Sequence, residues 1–189
     1  MDWLLLATAI TGAGTAWYLL RLCGRMFGSA PSVAVHFSPK GGCTEAIVRE
    51  VQRARRSVQV LAYTFASRPI AQALVDAKLL GVNVELVFDP ATEDDPNSDL
   101  AFFIEQGLTP LIDENHALAH SKVIVVDDRT VVTGSFNFTH QAEMENAENV
   151  VVIQGHGEVA AAYRKNFQDH KGHARAAQAQ PGKAVRKAA

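Results

Sequence analysis

Cysteine is nearly absent from this chain. Its two residues, Cys23 and Cys43, exclude a disulfide-built scaffold, and no Cys-x-x-Cys or Cys/His spacing marks a zinc site. No structural metal site is therefore expected. An excess of one charge is also missing: 18 Lys and Arg stand against 20 Asp and Glu, a formal net charge of −2. That balance excludes the strongly basic field of a generic nucleic-acid binder, whose affinity comes from neutralising phosphates. Aromatic residues make up only 7% of the chain, too few for an extended base-stacking surface. Tyr63, Phe65, Phe136 and Phe138 read as core residues. No internal repeat is visible.

What is present is ordinary for a globular domain: 48% hydrophobic and 20% charged residues over 189 positions, enough for one sizeable core. The charge is unevenly spread. Residues 1–163 sum to −8 and residues 164–189 to +6. Arg49, Arg53, Arg55 and Arg56 cluster near the end of one expected helix, either as a solvated face or as a local basic patch. Trp3 to Leu20 is an 18-residue uncharged apolar run followed by Arg21 and Arg25, just long enough to cross a bilayer. An uncleaved single-pass anchor is the leading reading of it. A signal peptide cleaved near Gly28-Ser29-Ala30, giving a periplasmic or secreted protein, and a buried helix are the alternatives.

Periodicity predicts strands at Val33–Phe37, Val58–Phe65, Val82–Phe88, Leu108–Ile112 and Glu148–Ile153. Helices are expected at Thr44–Arg55, Pro69–Leu80, Asp99–Gln106 and Gly157–His170, with an acidic loop over Ala91–Asn97. Two apolar runs, 122–126 and 130–134, are joined by a short polar turn and must pair antiparallel. Strands alternating with helices predict an α/β sandwich, a mixed β-sheet flanked by helices on both faces, preceded by an N-terminal apolar helix. Three segments follow: 1–30 as anchor or signal, 31–170 as catalytic domain, and 171–189 as a disordered basic tail.

The chemistry concentrates around the two antiparallel runs. His120 and Lys122 stand two apart at the start of the first, and strand periodicity puts them on one side. Ser135 and Asn137 share a face just after the second run ends at Gly134. An imidazole, an ammonium, a hydroxyl and an amide at neighbouring strand ends suit a phosphodiester: one group attacks phosphorus, the others hold its oxygens.

His120-Ser-Lys122, Asp127 five residues on, and Gly134-Ser135-Phe136-Asn137 together resemble the HKD signature of the phospholipase D superfamily. Glu148-Asn149 matches the acidic position that follows the motif in small members. The similarity runs from about Val33 to Gln168. A short chain with one motif is most similar to the bacterial Nuc-type endonucleases and the mitochondrial cardiolipin hydrolases (Zucchini).

That resemblance implies a phospholipase D-like α/β/α sandwich and a reaction that needs two histidines. Only one motif is present, and His36, His116, His140 and His156 lack a lysine partner and read as surface or loop residues. It therefore implies a homodimer with a shared site. There one His120 forms a covalent phosphohistidine while the other serves as general acid and then as base. Lys122, Ser135 and Asn137 would bind the phosphate, and Glu148 would accept a hydrogen bond from the far nitrogen of His120. Asp127, an odd number of positions from His120 and at a turn, carries a structural role within the motif. The lysines replace a metal. The implied activity is a metal-independent phosphodiesterase, nuclease-like on DNA or RNA. The alternatives are a phospholipase D on membrane phospholipid, held at the bilayer through residues 3–20, and a non-catalytic membrane-bound phosphate-binding protein.

Overall fold

The computed structural model describes residues 30–178. The expected apolar helix at 3–20 and the end of the basic tail lie outside the described residues. Among the described residues no helix is long and apolar enough to cross a membrane.

Among the described residues ten strands form: β1 (Ser32–Phe37), β2 (Ser57–Ala62), β3 (Phe65–Ala66), β4 (Asn83–Phe88), β5 (Leu111–Ile112), β6 (Lys122–Val126), β7 (Thr130–Gly134), β8 (Phe138–Thr139), β9 (Asn149–Gln154) and β10 (Arg175–Ala176). The helices are α1 (Cys43–Gln52), α2 (Arg68–Leu79), α3 (Pro90–Asp94), α4 (Leu100–Glu105), α5 (His140–Met144) and α6 (Gly157–His173). Eight strands make one mixed sheet in the order β1-β9-β7-β6-β2-β4-β5-β10, and β3 and β8 make a separate parallel pair.

The central strands read as continuous apolar runs because both their faces are covered. All five residues of β6 are buried. Ile124 and Val126 point into a core shared with Ile47 and Val51 of α1 and Ile70 and Leu74 of α2. Val123 and Val125 point the other way, toward Ala160 and Phe167 of α6. Helices thus cover both faces of the sheet, as expected.

Several local expectations are corrected. The Val58–Phe65 strand breaks at Tyr63-Thr64, because Phe65 leaves the large sheet to pair with Phe138 in the small one. The acidic loop at Ala91–Asn97 is helical over Pro90–Asp94, where the Asp89 side chain accepts a hydrogen bond from Ala91 N at 2.8 Å. The domain does not stop at 170. The last helix runs to His173, and Arg175–Ala176 pairs antiparallel with β5. Composition hid this, since the segment docks through charges: Arg175 grips Glu93 and Glu114, and Lys171 pairs with Glu85. No element was expected at β8 or α5. Yet Glu143 of α5 accepts from the N–H groups of Gly42 (3.1 Å) and Thr44 (2.7 Å), satisfying donors at the start of α1.

The small sheet governs where the site forms. Phe65 packs against Phe138 (5.6 Å between ring centroids), Phe88 (5.5 Å) and Phe103 (5.1 Å), all fully buried. This knot draws the chain after β2 against the chain after β7. Phe138→Ala removes its centre and lowers stability by about 3–5 kcal/mol. Denaturant unfolding checks this, and an unmoved midpoint would contradict the packing role given to Phe138.

Candidate active site

The antiparallel register fixes which residues can meet. Strand β6 begins where β2 ends, with Lys122 opposite Ala62. Strand β7 ends at the same edge, and β9 begins there with Val150 opposite Gly134. One edge of the sheet therefore gathers Tyr63, Asp89, His120 to Lys122, Gly134 to Asn137, and Glu148-Asn149.

His120 stands just ahead of β6 and is solvent-exposed. Its ring lies 4.6 Å from that of Tyr63, centroid to centroid. Lys122 is 6% exposed, with Nζ 5.2 Å from the same Tyr63 ring and 2.8 Å from the His120 carbonyl oxygen, to which it donates. Burial pushes the Lys122 ammonium below its usual pKa, and the negative charges of Glu148 and Asp89 partly oppose that shift. A nearly dry cation beside an accessible imidazole is a strong attractor for a phosphate oxygen.

Gly134 is required by a close approach. A Cβ there would sit 2.2 Å from the Asn149 carbonyl oxygen, and its φ of 150° lies where L side chains are strained. That approach sets the turn carrying the next three residues. Ser135 Oγ accepts from Asn149 N (3.1 Å) and Nδ2 (3.2 Å), leaving its proton for another acceptor. The Oδ1 of Asn137 is buried without a hydrogen-bond partner among the described residues, a costly arrangement that persists mostly where a site needs it.

Two further residues of the motif do not touch His120 among the described residues. Glu148 is half-buried at the same edge, where its Oε1 accepts from Asn146 Nδ2 at 3.3 Å. Among the described residues no hydrogen bond joins it to His120. Asp127 lies at the opposite end of β6, about 16 Å from Lys122 at the usual rise per residue. There its carboxylate accepts from the backbone N–H groups of Arg55, Arg56 and Ser57 at 2.7–3.1 Å. It ties the end of the first helical segment to β6 and touches nothing at the site.

Sequence reasoning missed two residues. Tyr63, read as core, is half-exposed, and its ring neighbours both the His120 ring and Lys122 Nζ. Its signal is positional, one residue beyond a buried strand at the site edge. Asp89 is 5% exposed, and its Oδ2 accepts from Ala119 N at 2.7 Å, pinning the residue before His120. A strand closing on Asp-Pro signals only a helix cap, so this second bond was not readable.

Cys43 offers no alternative nucleophile. It is fully buried, and burial together with nearby carboxylates pushes its thiol up to about 11. A separate group, Asp113, His116, His170 and His173, places four potential metal ligands within 4.8 Å of one another. The expectation of no metal site rested on local spacing, and these ligands come from segments 57 residues apart. His116, read as a loop residue, belongs to this group.

Residues 47–171 match the family described as "Cardiolipin synthase, PLD-like domain". The chain is 37% identical over 143 residues to a phospholipase D of Rickettsia bellii, covering 76% of this chain and 71% of the relative. It is 31% identical over 115 residues to the mitochondrial cardiolipin hydrolase of Xenopus laevis, 61% of this chain and 54% of that protein. The crystal structure of Nuc from Salmonella typhimurium, a phospholipase D family member, superposes with a TM-score of 0.76 at 36% identity. That match covers 79% of this chain and 100% of Nuc.

Asp89→Asn replaces one acceptor oxygen with an NH2 group and opposes either Ala91 N or Ala119 N. The resulting shift of His120 lowers kcat by about 100-fold while the fold is retained. Steady-state kinetics beside circular dichroism tests this. A variant with the wild-type rate would remove Asp89 as a positioning residue.

Proposed function

The chain belongs to the phospholipase D-like family of phosphodiester hydrolases, and we propose that it cleaves nucleic acid through a covalent phosphohistidine on His120, by chemistry that needs no metal. The observation that carries this reading is an exposed imidazole and a buried ammonium that both lie near the Tyr63 ring.

A His120 ring nitrogen attacks phosphorus, and the bond to the leaving oxygen breaks. His120 of the partner subunit gives that oxygen its proton. The same imidazole, now neutral, takes a proton from water as the water attacks phosphorus. The P–N bond then breaks and His120 is restored. Lys122, Ser135 and Asn137 hold the non-bridging oxygens as their charge grows. Glu148 turns from Asn146 to the far nitrogen of His120 and fixes its tautomer. The chain supplies one such histidine, so two copies meeting at the site edge complete the pair. The unpartnered Asn137 Oδ1 accepts only, so it supports a site completed by a donor group from a second chain or from the substrate outside its phosphate.

Nucleic acid is the preferred substrate because the chain matches the whole length of Nuc and resembles the Nuc-type endonucleases throughout the motif. A second reading, hydrolysis of membrane phospholipid, is favoured by the names of the curated relatives and by the uncharged sequence at 3–20, which would hold the site at a bilayer. A non-catalytic phosphate-binding role is the weakest reading, since the motif side chains are intact.

Full-length protein in detergent is given labelled single-stranded DNA and, separately, anionic phospholipid vesicles. Faster cutting of DNA is expected, and turnover of lipid alone would assign the second reading. Mixing His120→Asn into wild type with subunit exchange tests the shared site. Activity should fall as the square of the wild-type fraction, to about one quarter at equal amounts. A linear fall to about one half would mean that each chain works alone.

A further inference from the structure

The Asp113 carboxylate is fully buried, and three imidazoles surround it. His116 Nδ1 lies 3.0 Å and His170 Nδ1 2.5 Å from Oδ2, and His173 Nε2 lies 3.0 Å from Oδ1. Ring centroids of the three histidines are 4.7–5.8 Å apart. Asp113 also accepts from Asn115 N at 2.9 Å. Among the described residues no lysine or arginine pairs with this carboxylate. The nearby Arg175 is committed to Glu93 and Glu114, and Lys171 to Glu85. A buried carboxylate ringed by imidazoles and lacking a fixed cation is short of positive charge.

We propose that Asp113, His116, His170 and His173 form a structural site for a divalent transition-metal ion, zinc above all, outside the catalytic centre. Each segment presents its two ligands at i and i+3, and on α6 that spacing puts both rings on one face. Four nitrogen and oxygen donors without a thiolate suit zinc, and four protein ligands close the tetrahedron, as in structural rather than catalytic sites. Zinc–ligand bonds near 2.0 Å set neighbouring donors about 3.3 Å apart. Contacts of 2.5–3.0 Å within a group spanning 4.8 Å therefore need only small rotations to accept the ion.

The frame is already built. Asp113 N donates to Phe88 O at 2.8 Å, Ala177 N to Pro110 O at 2.9 Å, and Arg175 pairs opposite Ile112. The ion would clamp the end of α6 to the loop that begins at Asp113 and ends at Ala119, the residue pinned by Asp89. Three strand spacings separate the cluster from Lys122, about 14 Å, so the ion touches no reacting atom.

The test uses full-length protein without a polyhistidine tag, purified in detergent without chelator. Elemental analysis should find about one zinc per chain. Chelation followed by Zn2+ at about a hundredfold excess over Kd should raise Tm by roughly 5–11 °C. Co2+ should substitute and give the absorption of a tetrahedral ion. His173→Gln, a half-exposed position, should lack both the metal and the Tm response while its Tm stays near that of the chelated wild type. His140→Ala, outside the cluster, should keep both. Wild type without metal and without a Tm response to Zn2+ or Co2+, or His173→Gln retaining both, would overturn the proposal. None of these readouts depends on hydrolysis, so they stand apart from the fate of the catalytic reading.

Discussion

A lysine ammonium with 6% exposure has to be compensated, and the site edge is arranged around that need. Lys122 donates to the His120 carbonyl, faces the Tyr63 ring and lies in the field of Glu148 and Asp89. Each compensator arrives on a different strand end, so the sheet must hold several registers at once. Burial strengthens what the ammonium can do for a phosphate, because a cation in a poorly screened place attracts an anion more strongly than one in water. The same burial makes its partners hard to replace.

The registers come from the apolar runs, and these were legible. The runs at 122–126 and 130–134 coincide with the observed strands, because unbroken Val and Ile residues bounded by polar turns leave little choice of boundary. Ordinary period reading located most of the sheet and the large helices. It failed where two residues suffice to make a contact, as at Phe65-Ala66 and Phe138-Thr139, since two residues have no period. It failed again at the C-terminal end, where docking depends on specific ion pairs and the composition looks like a solvated tail.

The site divides in the same way. That His120, Lys122, Ser135 and Asn137 reach one edge of the sheet was readable, because the two antiparallel runs that carry or precede them were legible. Asp127 was readable as a turn residue, although its three backbone partners at 55–57 were not. Tyr63 and Asp89 act through neighbours brought by the topology, and no local pattern reports that. The four-residue group around Asp113 is the extreme case. It is assembled by β10 and α6 folding back onto β5, so two of its ligands follow β5 in the chain and two come from α6, 57 residues on. The loop between Asp113 and Ala119 is consequently held at both ends. That is a physical reason for the precise placement of an otherwise exposed His120.

The central claim is that His120 itself bonds to phosphorus without help from a metal. Full-length protein, turning over a labelled oligonucleotide in excess EDTA at 25 °C, would be quenched in alkali, where a phosphohistidine survives, and digested for mass spectrometry. The account predicts a nucleotide adduct on the peptide carrying His120, formed during turnover and missing from His120→Asn. Sustained cleavage with no adduct on that peptide would contradict it.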